Sequence, residues 1–388
     1  MLTSLENGKS NLSLREKFMS NAGKTRLFYQ DLWQSISTAE VDVFYRDSHG
    51  EQYSYLDVKE NILKCCKFLE QHQQKKIAVL CDKNFYNYCI ILGILFSENI
   101  WIPLSKSTPL ERNLKILENL DADILVTDYS YSNFFPEKLT NQKISLIAPD
   151  KIFTKTLDSG EKLKFANKPK DLSMIYFTSG STGVPKGVMI KNESFINNIE
   201  NILSILKPSK MRFIDLHDLS FVISIPIIFP CILTKSQIFS ANSDIDVLFP
   251  GSVILREKIN MLITVPSTLK RITVEKHSKK AINALKCVIS CGEPLSYSLL
   301  SLFLVNNNLN FYNFYGSTEV APWVFYHKCN DSTLSYATKK NTVPLGTLLP
   351  GNEMAVTEDG MLLIKGVQIT EGYVGQKADE HLIKYDGS

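Results

Sequence analysis

The sequence predicts an α/β fold in which parallel sheets are covered by helices on both faces, and three observations predict it. Short apolar runs of strand length alternate with segments of helical periodicity over residues 56–127, and the alternation resumes beyond residue 200. Strands separated by helices at this spacing need crossover connections, which favour parallel pairing. The chain has 388 residues, 44% of them hydrophobic, so it can bury cores for two or three compact units of roughly 100–200 residues each. From about Thr342 the texture changes to short alternating runs around Asp359-Gly360, the pattern of a small antiparallel unit.

The elements follow in order. Residues 56–71 (LDVKENILKCCKFLEQ) place apolar side chains at helical spacing, and 76–81 (KIAVLC) read as a short buried strand. Residues 84–96 form a second helix, 101–104 (WIPL) a strand, 109–120 a third helix and 124–127 (ILVT) another strand. Further on, 221–229, 261–265 and 287–290 are apolar runs that read as buried strands. Residues 353–356 and 361–365 read as the arms of a β-hairpin.

Composition excludes several classes. Lys+Arg 43 against Asp+Glu 40 leaves a formal net charge of +3, without the basic excess of a nucleic-acid binder. The longest apolar run, 221–233, contains Pro226 and Pro230 and falls short of the roughly 20 residues of a membrane span. The first residues, MLTSLENGKSNLSLREKF, carry Glu6 and polar residues where a signal peptide needs an apolar run. The eight cysteines form no C-x-x-C pair, and the six histidines do not join them at ligand spacing. Free thiols in a reducing cytoplasm are the reading this supports, with no zinc site and no disulfide framework.

The strongest signal is MIYFTSGSTGVPKGVMIK, residues 174–191. An apolar strand runs into Thr178, Ser179, Gly180, Ser181, Thr182 and Gly183, then through Pro185-Lys186 into a second apolar stretch. Glycines free the backbone to aim its N–H groups at an anion, hydroxyls add donors, and Lys186 adds a mobile positive charge suited to phosphate. No Gly-Lys-Ser/Thr follows, so this is not a P-loop, and the dinucleotide fingerprint G-x-G-x-x-G is absent.

This run resembles the signature loop of the adenylate-forming (ANL) superfamily, which includes acyl- and aryl-CoA ligases, luciferases and the adenylation domains of nonribosomal peptide synthetases. Other stretches resemble further motifs in the family's order: Tyr53-Ser54-Tyr55-Leu56, Trp101-Ile102-Pro103-Leu104, Asn313-Phe314-Tyr315-Gly316-Ser317-Thr318-Glu319 and the GVQITEGY of 366–373. The resemblance covers about residues 50–388 and implies the superfamily's N-terminal core: two doubly wound αβ subdomains plus part of a small β-barrel-like subdomain. The expected division is 1–322 for the two interwoven subdomains, approximately 52–177 and 1–51 with 178–322, and 323–388 for the partial β unit.

The resemblance also implies a ligase that joins a carboxylate to the AMP part of ATP and releases pyrophosphate. Thr178, Ser179, Gly180, Ser181, Thr182, Gly183 and Lys186 would close on the β- and γ-phosphates. Thr318 would contact the α-phosphate, and Glu319 would hold Mg²⁺, the expected cofactor; a hard cation bridging ATP oxygens needs only one or two carboxylates. Tyr315, next to Gly316, would stack on adenine against Gly292, Glu293 and Pro294, and Asn313 would meet the exocyclic amine. Taken singly, Asn313 and Gly316 equally suit a turn after a strand, Tyr315 a core position, and Glu319 a solvated or helix-capping acid.

In amino-acid-activating members a Phe-Asp pair opens the motif that binds the substrate's α-ammonium. Counting back from Phe229-Pro230, the matching pair here is Phe221-Val222. A buried ammonium without a carboxylate costs several kcal/mol, so the implied substrate lacks that group: a 2-oxo, 2-hydroxy, acyl or aryl acid. A competing register uses His217-Asp218-Leu219-Ser220 and demands a four-residue insertion. The remaining pocket positions carried over are Ile223, Pro226, Thr264, Ile289, Cys291, Phe314, Pro322 and Trp323, an almost wholly apolar set. Cys291 reads as a small packing residue.

The expected partners are ATP, the acid and a carrier protein with a phosphopantetheine arm, with no nucleic acid and no membrane. An amino-acid-activating domain, a CoA ligase and a non-catalytic nucleotide-binding scaffold stay open. The sequence stops at Ser388, before the place where the resemblance puts a ribose-binding aspartate, a hinge and a C-terminal lid with a bridging lysine, so impaired turnover is expected of this chain alone.

Overall fold

In a computed structural model the structure describes residues 20–128, 144–165, 171–179, 185–334 and 341–375. The chain starts in one sheet, builds a second, and returns to the first. The six-stranded sheet has the order β6-β5-β3-β4-β7-β8, with β3 Lys76–Leu80, β4 Ile100–Pro103, β5 Ile124–Thr127, β6 Ser145–Ile147, β7 Leu172–Ser179 and β8 Pro185–Lys191. All its pairs are parallel except β7 with β8. The nine-stranded sheet has the order β15-β14-β13-β12-β11-β9-β10-β1-β2. Its parallel centre is β1 Val43–Asp47, β9 Arg212–Asp215, β10 Gln237–Ser240, β11 Met261–Thr264, β12 Cys287–Ser290 and β13 Asn310–Tyr315. The antiparallel strands β2 Gln52–Ser54, β14 Phe325–Cys329 and β15 Thr347–Leu348 complete its edges.

The period of two along each strand sorts side chains into three apolar layers. Ile77, Trp101, Ile124, Met174 and Val188 of the six-stranded sheet share one core with Phe213, Ile238, Ile263, Ile289 and Phe314 of the nine-stranded sheet. The neighbouring residues Ala78, Ile102, Leu125 and Ile175 pack outward against the helix Leu110–Leu120. On the other outer face, Ile214, Phe239, Leu262, Val288 and Phe311 pack against Leu269 and Leu300 of the helices Pro266–Val274 and Tyr297–Leu304. Helices therefore fill the space between the sheets as well as both outsides. The helix Phe85–Phe96 is apolar on every side and belongs to that central layer; all its residues except Tyr86 are buried.

The predicted helices and strands of residues 56–127 form within a residue or two of their expected limits. The helix Tyr55–Leu69 starts where Ser54 accepts from the Asp57 N–H at 3.2 Å and Asp57 accepts from the Ser54 N–H at 2.7 Å, a capping box that contributes about 1 kcal/mol. The expected strand at 221–229 does not form. That stretch is a 3₁₀ turn, Val222–Ser224, followed by the helix Ile225–Leu233. A continuous apolar run hides its period, and Pro226, which has no N–H to offer a sheet, suits a helix's first turn.

The hairpin β16 Asn352–Val356 with β17 Leu362–Gly366 is present as an antiparallel pair. Two strands close no barrel, so the expected barrel-like unit is a hairpin among the described residues. Sheet membership also shifts the expected divisions. Strand β8 belongs to the six-stranded sheet although it follows residue 178, and β14 and β15 extend the nine-stranded sheet beyond residue 322. No helix among the described residues is long and apolar enough to cross a membrane, and all eight cysteines are free.

Candidate active site

A cavity of about 710 Å³ opens where the carboxyl ends of strands from both sheets converge. Its walls come from residues at or just past strand ends: Leu104 and Ser105 after β4, Tyr176 to Thr178 on β7, Val265 after β11, Cys291 to Glu293 after β12, and Gly316 to Thr318 after β13. Parallel α/β sheets bind ligands at this edge because crossover connections leave a crevice there. The hollows around Cys66 and Phe165 and around Tyr86 and Phe153 carry none of the expected site residues.

The structure brings Thr178, Phe221, Val222, Ile223, Cys291, Gly292, Glu293, Gly316, Thr318, Pro322 and Trp323 to the walls of this cavity. Gly292 has φ +77°, a conformation open to glycine, and a Cβ on Gly316 would sit 2.2 Å from the Pro322 carbonyl oxygen. The turn after β13 therefore folds tightly enough to place Thr318 and Trp323 on one wall. Glu293 points elsewhere with its carboxylate, accepting from the Ser267 N–H and Oγ, both at 2.9 Å, at the start of the helix Pro266–Val274.

Other expected residues lie behind or beside the walls. Pro226, Thr264, Ile289 and Phe314 are buried in the packing beneath, with the Phe314 ring 4.7 Å from that of Trp323. Asn313 donates from Nδ2 to the Pro344 carbonyl at 3.2 Å. Tyr315 is 43% exposed at the end of β13, and Pro294 is exposed beside Glu293. Ser179 is the last residue of β7, paired with Pro185 in the ladder. Gly180, Ser181, Thr182 and Gly183 lie outside the described residues. Lys186 pairs with Thr178 across the β7–β8 ladder and sets its Nζ 5.4 Å from the centre of the Tyr373 ring. Glu319, in the turn Thr318–Val320, accepts from the Tyr373 hydroxyl at 2.9 Å.

The loop after β9 carries both Asp218 and Val222. Lys83, half-buried, donates to the carbonyls of Asp215 at 2.8 Å and His217 at 3.0 Å. Asp215 is itself buried, beside Lys83 and hydrogen-bonded by the Tyr88 hydroxyl. Asp218 does not itself line the cavity but sits behind two residues that do: Oδ2 accepts from Ser105 Oγ at 2.6 Å and Oδ1 from the Ser220 N–H at 2.8 Å. Val222 lies on the wall.

Sequence reasoning did not single out Ser105, Thr108, Arg112, Asn113 and Tyr176, which also line the cavity. Their shared signal is position, at or after the strands of the first sheet, which only the convergence of two sheets turns into a wall. His217 joins them, although it entered only through the competing register. Burial holds its ring down to about 4, so it is neutral at pH 7, and Nε2 lies 3.1 Å from Thr264 Oγ1. Burial pushes the Cys291 thiol up to about 12, which leaves it protonated and a poor nucleophile.

The chain is similar to known proteins in three comparisons. The D-alanine–D-alanyl carrier protein ligase of Staphylococcus epidermidis is 25% identical over 333 residues, which cover 84% of this chain and 66% of the ligase. The chain thus spans about two thirds of that relative's length, and its match covers 5% of tyrocidine synthase 3 of Brevibacillus parabrevis at 24% identity over 84% of this chain. Among solved structures, the Klebsiella oxytoca NpsA N-terminal subdomain in complex with 3-hydroxyanthranilyl-AMSN has a TM-score of 0.76 at 19% identity, covering 94% of this chain and 93% of that one. Vibrio cholerae AlmE, in complex with glycyl-adenosine-5'-phosphate, has a TM-score of 0.75 at 17% identity, covering 95% of this chain and 76% of that one. At these identities the two structures share the fold. The profile of the AMP-binding enzymes matches residues 33–374, a span that holds both sheets and every described wall of the cavity, and the chain belongs to that family.

Proposed function

We propose that this chain binds ATP and an apolar carboxylic acid without an α-ammonium group, and joins them as an acyl-adenylate for loading onto a carrier-protein thiol. In the reaction an oxygen of the substrate carboxylate bonds to the α-phosphorus. The bond from that phosphorus to the bridging oxygen breaks, and pyrophosphate leaves with the electron pair. The protein's task is to hold two mutually repelling anions in line and to offset the charge on the phosphates. Thr178 and Thr318 reach the same cavity from different sheets, and their hydroxyls are suited to donate to phosphate oxygens. Lys186, one ladder step from Thr178, supplies positive charge on that side.

Among the described residues no group of three or more His, Cys, Asp or Glu side chains could hold a metal alone. Glu319, in the turn that follows Thr318, is suited to serve as the protein ligand of a cation held mainly by nucleotide oxygens. Magnesium bound there would neutralise phosphate charge.

One observation carries the substrate class: Val222 is on the cavity wall while Asp218 is not, its carboxylate lying behind Ser105 and Ser220 and accepting from both. Glu293 is the one carboxylate of the wall among the described residues, and it is held at Ser267. An α-ammonium would enter this space unpaired, at a cost of several kcal/mol. Phe221, Ile223, Pro322 and Trp323 suit a branched aliphatic or small aromatic side chain instead. The carrier-protein ligase among the relatives supports the acceptor. Its D-alanine, and the glycyl group of the AlmE complex, favour the second reading, an amino-acid-activating domain.

Calorimetric titration with matched acyl-sulfamoyl adenosines decides between them. One analogue carries an α-ammonium, and its partners carry oxo, hydroxyl or hydrogen on the same apolar side chain. The proposal expects the uncharged analogues to bind at least about tenfold tighter, about 1.4 kcal/mol. Tighter binding of the aminoacyl analogue would establish the second reading, and no binding of either would remove the adenylation reading.

A further inference from the structure

Residues 369–374 form a strap along strand β8, the edge of the six-stranded sheet. The Met189 N–H donates to the Gly372 carbonyl at 2.9 Å, Glu371 N–H to Met189 at 3.0 Å and Val374 N–H to Gly187 at 2.8 Å, with Val188 opposite Tyr373. The strap reaches Glu319 twice. The Thr370 N–H donates to the Glu319 carbonyl at 3.0 Å, and the Tyr373 hydroxyl donates to Glu319 Oε1 at 2.9 Å. The Tyr373 ring also lies under Lys186, at 5.4 Å from Nζ.

We infer that Tyr373 is a positioning residue: its hydroxyl fixes one oxygen of Glu319 so that the other is presented to a nucleotide-bound divalent cation, and its ring steadies Lys186 at the start of β8. The inference rests on the reading of Glu319 as the metal ligand. Two features of the site favour this arrangement. Among the described residues the Tyr373 hydroxyl is the side-chain partner of Glu319, and it engages Oε1 alone. The main-chain bond from Thr370 holds the same residue from the same strap, so the carboxylate has little freedom to turn. Partners of this kind orient ligands, and their removal typically weakens metal affinity about 10- to 100-fold.

The test is ATP titration by calorimetry at stepped MgCl₂ concentrations, with an EDTA arm as the metal-free reference and a thermal melt of each protein. Tyr373→Phe keeps the ring beneath Lys186 and removes only the hydroxyl. It should lower the magnesium-linked gain in ATP affinity about tenfold while leaving ATP affinity in EDTA and the melting temperature as in the wild type. Glu319→Gln should abolish the gain. If Glu319→Gln keeps the full gain, or the wild type shows none, the reading of Glu319 fails and takes this inference with it. If Glu319→Gln abolishes the gain while Tyr373→Phe retains it, the inference about Tyr373 alone is overturned. Weaker binding of Tyr373→Phe in EDTA, or a lowered melting temperature, would make Tyr373 a packing residue and overturn it as well.

Discussion

His217 Nε2 lies 3.1 Å from Thr264 Oγ1, and the half-buried residue lines the cavity beside Lys83 and Asp215. Burial is the main cause of its low pKa, about 4 against an ordinary 6.5. The unfolded chain therefore binds a proton on this residue between those values and the folded one does not. Stability that is complete above pH 6.5 should fall as pH drops towards 4, by roughly 2–3 kcal/mol from this residue. Denaturant melts at pH 7.5 and pH 5 should show that loss in the wild type and a smaller one in His217→Gln.

Gly316 lies against the turn that carries Pro322 and Trp323. In Gly316→Ala the new Cβ would stand 2.2 Å from the Pro322 oxygen and 2.7 Å from the Trp323 Cα, so the main chain has to move. The expected cost is about 2 kcal/mol or more, with at least about a tenfold loss of acyl-sulfamoyl adenosine affinity. A melt and a titration of the same variant check both.

Asp218 is engaged with Ser105 Oγ and the Ser220 N–H. Asp218→Asn should therefore lower stability by about 1–2 kcal/mol and leave the ratio of affinities for charged and uncharged analogues unchanged. A selective loss of the aminoacyl analogue would show that Asp218 serves an ammonium after all.

Cys291 donates weakly to the Thr264 carbonyl at 3.8 Å and is 2% exposed. With its thiol held at about 12 by burial, it should resist iodoacetamide at pH 7.5 in the folded protein and react after denaturation. Mass spectrometry of the peptide containing Cys291 measures this.

The alternation that made the fold legible is a local signal: strands such as 76–80 and 124–127 and helices such as 55–69 carry their own period and caps. The segment 221–233 escaped because every position is compatible with burial, and a helix packed on all sides shows no face. The helix Asn21–Thr38 and strand β1 were not read at all; they matter only through long-range packing of Phe28, Leu32 and Phe44 into the shared core. At the site, the motif residues Thr178, Gly316 and Thr318 were visible as a pattern. Ser105, Arg112 and Tyr176 were not, because they become neighbours of those residues only when the two sheets meet.

The central claim is that Val222 excludes an α-ammonium from the cavity. The most direct measurement titrates wild type and Val222→Asp with the aminoacyl and the uncharged sulfamoyl adenosine of one side chain. Wild type should prefer the uncharged analogue at least about tenfold, and Val222→Asp should shift the ratio towards the aminoacyl analogue by about tenfold or more. Equal ratios in the two proteins, or a wild type that already prefers the aminoacyl analogue, would contradict the account.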